Sequence, residues 1–187
     1  MKMKKILTMA LAAVLLVAVS VGGTIAYLKA ETPAITNVFT PSEIEVTLSE
    51  DVPVDQSAQI IPGVNIPKDP EVTADADVPY YVFVKITEKD WNSNLTWDVD
   101  RTKWSVHQEK DANGIMIIYK EMVNGGELAA TTILANNEIV VSPDMLESQM
   151  PTAEPYPTLA FAAYAVQMQK NATENFTVAE AWAEASK

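Results

Sequence analysis

The 187-residue sequence has no cysteine, a single histidine and few basic residues, 13 Lys plus Arg against 25 Asp plus Glu. Without cysteine there is no disulfide scaffold, no thiol nucleophile and no Cys-ligated zinc or iron–sulfur centre. With His107 alone, any site needing two imidazoles is excluded. The net charge of −12 argues against nucleic acid as a partner, because neutralising phosphates takes clustered Lys and Arg. Yet 48% of the residues are hydrophobic, too many for a disordered acidic polymer.

That hydrophobicity is unevenly placed. Lys2, Lys4 and Lys5 precede an apolar run of 16 positions, Ile6 to Val21, interrupted only by Thr8 and Ser20. Gly22 and Gly23 break it, and Thr24-Ile25-Ala26 sets small residues at the two positions a signal peptidase reads. This is the three-part pattern of an export signal, with the cut after Ala26 and Tyr27 as the new N-terminus. The other reading is an anchor that stays in the membrane. A span takes about 20 apolar residues, which favours cleavage, although Ile25 to Leu28 extend the run. Removing residues 1–26 leaves 161 residues, with 10 basic against 25 acidic, a charge of −15. One domain of that size buries about 68–70% of its unfolded surface and needs no staples. An exported chain without cysteine fits a bacterial surface better than a eukaryotic secretory route.

The remainder, residues 40–187, reads mostly as strands. Glu43 to Leu48 alternates polar with apolar at period two, and Tyr80 to Thr87 is β-branched and aromatic throughout. Trp104 to Glu109 and Ile115 to Tyr119 flank an Asn113-Gly114 step and form a hairpin. Asn124-Gly125-Gly126 marks a further turn. Thr131 to Leu134 and Ile139 to Ser142 are short strands around Asn136-Asn137. Two stretches carry four prolines each and are read as loops: Val52 to Asp69 with the adjoining Pro70, and Ser142 to Pro157. The alanines of Leu159 to Met168 admit a helix, but Phe161, Tyr164 and Val166 in a β-rich chain favour a buried strand. Thr177-Val178-Ala179-Glu180 is a capping box, and Val178, Ala181, Trp182 and Ala185 share one face of the helix it starts. The fold class expected is mainly β: an antiparallel sandwich with a short C-terminal helix, preceded by a signal helix.

Chemistry is sparse. No Ser sits in a Gly-x-Ser-x-Gly turn, and His107 is read as an ordinary exposed strand residue. Asp75 with Asp77, Asp98 with Asp100, and Asp111 with Asn113 pair oxygen ligands two residues apart. Calcium wants about six to eight oxygens in a longer loop, which none of these continues. Asn94, Asn171 and Asn175 begin Asn-x-Thr sequons, a pattern that arises by chance in a bacterial chain. Trp91, Trp97, Trp104, Tyr80 and Tyr81 fit either core packing or a sugar-binding face. No catalytic residue, metal or cofactor is implied.

From Gly22-Gly23-Thr24-Ile25-Ala26-Tyr27-Leu28 onward the sequence resembles the exported TasA and camelysin (CalY) family of Gram-positive bacteria. The matching pieces are that junction, Asn37-Val38-Phe39-Thr40 leading into Ile44 to Leu48, and Pro62-Gly63 followed by Lys68-Asp69-Pro70. Tyr80 to Lys85, residues 163–169 and residues 176–185 are similar to the version in clostridial relatives. The resemblance implies a jelly-roll-like β-sandwich and a signal cut by a SipW-type peptidase. It also implies a secreted protein of the biofilm matrix or cell surface that self-associates into fibres and meets the membrane only through an uncleaved signal. Some members are named metallo-endopeptidases, an activity for which this chain has no ligand set. The function expected is therefore a non-enzymatic surface or matrix protein. A carbohydrate- or surface-adhesion module is the alternative, and a camelysin-type peptidase the lesser one.

A physical route to fibres follows from residues 27–39. The segment is extended and mildly apolar, and Pro33 discourages a helix. Through Leu28, Ala34, Ile35, Val38 and Phe39 it can act as a donor strand on the edge of another subunit's sheet. The other reading is an ordinary first strand within its own sheet.

Overall fold

The computed structural model describes residues 43–51, 59–151 and 154–187, all within one unit of contacts, Pro41–Lys187. The signal and donor expectations on residues 1–39 lie outside the described residues. The fold is mainly β, with antiparallel sheets packed together and one short C-terminal helix.

The strand that organises it is β4, Tyr80–Lys89. Its β-branched and aromatic residues alternate between two apolar clusters. Tyr80, Val82, Val84 and Ile86 face one cluster, and Tyr81 and Phe83 the other. A strand covered on both faces has no polar side to show, which is why this segment reads as a continuous apolar run. It pairs antiparallel with β7, Ile115–Met122, and with β10, Thr158–Gln167. With β6, Ser105–Gln108, outside β7, the second sheet runs β10-β4-β7-β6.

The first sheet has the order β1-β3-β8, from Ile44–Ser49, Glu71–Ala76 and Leu128–Thr132. Its Val72, Ala74, Ala76 and Leu128 are buried in the cluster that takes the inner face of β4, so the two sheets pack face to face. A third, small sheet joins β2, Ile66–Pro67, and β5, Leu95–Thr96, to either side of β9, Glu138–Val141.

Helix α1, Val178–Ala185, covers the outer face of the second sheet. Its capping box is formed: the Glu180 N–H donates to Thr177 Oγ1 at 3.3 Å, and the Thr177 N–H donates to Glu180 Oε2 at 2.9 Å. Ala181 is fully buried and Trp182 packs on Phe83 and Tyr164. The Lys170 ammonium lies 2.6 Å from Glu180 Oε1. Lys170 and the Thr177 N–H together hold the Glu180 carboxyl down at about 2. A depressed carboxyl contributes stability above its unfolded value, near 4.5, and loses it as pH falls through about 2. The helix start is therefore expected to loosen in that window. Lys170→Met should raise the Glu180 titration seen by NMR, and an unmoved titration would show that the ion pair is not the cause.

The hairpin between β6 and β7 turns at Asp111-Ala112-Asn113-Gly114, where Gly114 alone takes the left-handed conformation, φ +75°. A Cβ there would stand 2.9 Å from both Cβ and O of Glu88, whose own N–H donates to Gly114 O. Gly114→Ala is expected to cost about 1–3 kcal/mol, read as a lowered denaturation midpoint.

Four expectations change. The proline-rich stretch before Pro70 includes β2, with Pro67 at a sheet edge where its missing N–H is tolerated. The strand expected at Thr131 to Leu134 lies at Leu128–Thr132, and Ile133 instead donates its N–H to Pro70 O. Leu159 to Met168 is a strand, but a half-buried one that ends its sheet. His107 is half-buried rather than exposed: it alternates with Val106 onto the opposite face of the sheet, where its ring lies edge-on to Phe83.

Candidate functional site

Asp98, Asp100 and Asp111 are engaged locally. Asp111 accepts the N–H groups of Ile115 and Asn113, both at 2.9 Å, and the bond from Ile115 foremost lowers its carboxyl below the usual range. Asp100 is lowered chiefly by the Thr102 hydroxyl, with Lys103 beside it. Asp98 accepts from the Val99 N–H and lies 3.6 Å from Arg101. Asp75 stands directly across from Glu45 in the β1–β3 ladder, in an open recess of about 180 Å³ also lined by Thr47, Thr73 and Glu127. Among the described residues, no group of three or more His, Asp or Glu side chains is arranged to hold a metal ion.

The aromatics are dispersed rather than aligned. Tyr80 and Trp104 are buried between the first two sheets, with Tyr80 Oη donating to Gly126 O and Trp104 Nε1 to Thr132 O. Tyr81 lies under the helix and donates to Phe176 O. Burial pushes both phenols up from their usual value. Trp91 and Trp97 are half-buried against the third sheet; their indole N–H groups donate to Leu95 O and Glu88 Oε1. Lys110 sits 5.6 Å over the Trp97 ring and binds the same Glu88 carboxylate.

What the described residues do offer is backbone at the sheet edges. An edge strand presents unpaired N–H and C=O groups, and shortness, charge, proline or bulges usually blunt it. β2 and β5 have two residues each, and β2 contains Pro67. The registers of β6 and β8 are broken by irregularities. β1 carries Glu45, exposed. β10 has none of these devices. It pairs with β4 in unbroken register from Thr158 to Gln167, and its ten residues include no charge, proline or glycine. Leu159, Phe161, Ala163 and Ala165 fill one core cluster and Tyr164 and Val166 the other. Side chains of β10 thus pack into both clusters. Among the described residues, no strand pairs with the edge of β10 away from β4.

The residues singled out in the sequence, Thr24, Ala26 and Tyr27 at the cut and Leu28, Ala34, Ile35, Val38 and Phe39 in the donor segment, lie outside the described residues. So does the apolar run 6–21; among the described residues no helix is long and apolar enough to cross a membrane. The sequence reading missed β10 as an edge, since a strand covered on both faces looks the same at the side of a sheet as at its centre. No protein-family model matches this chain, and no curated protein matches it.

Proposed function

We propose that the chain is an exported, non-enzymatic surface or matrix protein that self-associates into fibres by strand addition. Its described part is read as a jelly-roll-like β-sandwich, and residues 27–39 of one copy as the strand that adds to the next. The observation that carries this reading is β10, a ten-residue sheet edge with no charge, proline or bulge to protect it. An extended segment supplies the matching backbone donors and acceptors. The TasA and camelysin resemblance points the same way, with a SipW-type peptidase freeing Tyr27. Head-to-tail addition is heterologous and does not close, so it builds an open filament.

Electron microscopy of the secreted protein, with its N-terminus sequenced, tests the reading. Fibres from a chain beginning at Tyr27 are expected. A protein that stays monomeric at every concentration and salt tried would overturn it.

A further inference from the structure

β1 and β10 run side by side at one margin of the packed sheets, yet they belong to different sheets and share no ladder. Apolar side chains of both strands pack against the same core cluster: Ile44 and Val46 from β1, Leu159, Phe161, Ala163 and Ala165 from β10. One polar contact also bridges the two strands. Lys68 Nζ lies 2.6 Å from Glu50 Oε2 at the end of β1 and 5.6 Å over the ring of Phe161 on β10. The backbone N–H of Lys68 is meanwhile held by Asn137 O, next to β9. A single residue, through its side chain and its backbone, therefore touches all three sheets.

This ion pair differs from the rest. The two side chains are 22% and 13% exposed, whereas every other described pair has a partner at least 40% exposed. Shielded from water, the pair is screened by salt less than a surface bridge. Apolar contacts are non-directional and slide, while an ammonium on one carboxylate fixes a position.

We infer that Lys68 and Glu50 form a latch on the β1/β10 seam. While they are joined the seam is shut; when they part, β1 separates from β10 and the edge of β10 is open to an incoming strand. The inference rests on the strand-addition reading above, and its occupant is the 27–39 segment of a second copy. Thirteen residues are enough to run the whole ten-residue edge. The latch sets how often the edge is available, so it governs the rate of assembly and not the contacts within the fibre.

Because the chain contains no cysteine, one introduced thiol reports cleanly on the seam. Ala163→Cys on β10 is labelled with a maleimide in the full chain, alone and together with Lys68→Met, which keeps the apolar stem over Phe161 and removes the charge. Opening is expected to raise the labelling rate about tenfold or more, with an Ala129→Cys control on exposed β8 unchanged. A rate within about twofold of the parent overturns the latch. Should circular dichroism show Lys68→Met unfolded, Glu50→Gln takes its place with the same two outcomes. A synthetic peptide of residues 27–39 is then added to the fast-labelling variant. Protection of the thiol supports latch and occupant together, while fast labelling without protection keeps the latch and overturns strand addition.

Discussion

Replacing Phe83 by alanine is expected to destabilise the protein by about 3–5 kcal/mol, the range for truncating a buried aromatic. Total stabilities run about 5–15 kcal/mol, so the variant sits close to unfolding. Phe83 has no exposed surface and lies at the centre of an aromatic cluster. Its ring centroid is 5.5 Å from Trp182, 5.9 Å from Tyr81, 6.1 Å from Tyr119 and 6.4 Å from His107. In the ladders it stands opposite Tyr164 on one side and Tyr119 on the other, so three strands meet at this side chain. Helix α1 depends on the same ring. Eight residues are too few to stay helical unaided, and Trp182 is the helix's aromatic anchor on Phe83 and Tyr164. Chemical denaturation followed by near-ultraviolet circular dichroism should show a lowered midpoint and a weakened Trp182 signal. Phe83→Leu should lose much less. A loss under about 1 kcal/mol for alanine would mean that the helix and sheet hold each other without this ring.

The parts of the fold legible in the sequence are those where one local rule acts alone. β4 is legible because ten residues of mostly apolar and β-branched character have no competing helical pattern, and α1 because Thr177 and Glu180 close a capping box that is complete in four residues. β3 is harder. Val72, Ala74 and Ala76 alternate inward as they should, but two of the three are alanines and the outward positions are Thr73, Asp75 and Glu71, residue types poor in strand preference apart from threonine. Packing against the second sheet decides it, since Ala74 and Ala76 are each only 4% exposed and small side chains let the sheets approach. The same dependence on partners hides the candidate site. A strand's composition records how its faces are covered, whereas an open edge is a property of its pairing, and pairing across the 68 residues between β4 and β10 leaves no local trace. His107 illustrates the limit at one residue: alternation turns it away from Val106, but only the packing of the sheet shows that the face it turns to is covered by Phe83.

Removing residues 27–36 from the mature protein is expected to abolish fibre growth while leaving the fold intact. The cut lies ahead of β1, which begins at Ile44, so the ladders of the first sheet are untouched. Sedimentation should then report a monomer, and circular dichroism the parent's β spectrum. On the strand-addition reading the truncated subunit keeps its β10 edge and loses its donor. It can therefore accept a strand from intact protein but pass none on, and a small fraction of it mixed with intact protein should end filaments early. Charge gives the same system a second handle. On the reading that residues 1–26 are removed, subunits carry −15 and repel one another, and screening over a Debye length of about 8–10 Å at moderate salt weakens that repulsion. Fibre growth by the intact mature protein should therefore quicken as salt is raised. Backbone hydrogen bonds and apolar contacts at the joint do not require charge, so salt should change the rate of encounter far more than the identity of the contact. Fibres forming at the normal rate without residues 27–36 would sink the donor assignment, because an edge that polymerises without its strand must be pairing with something else.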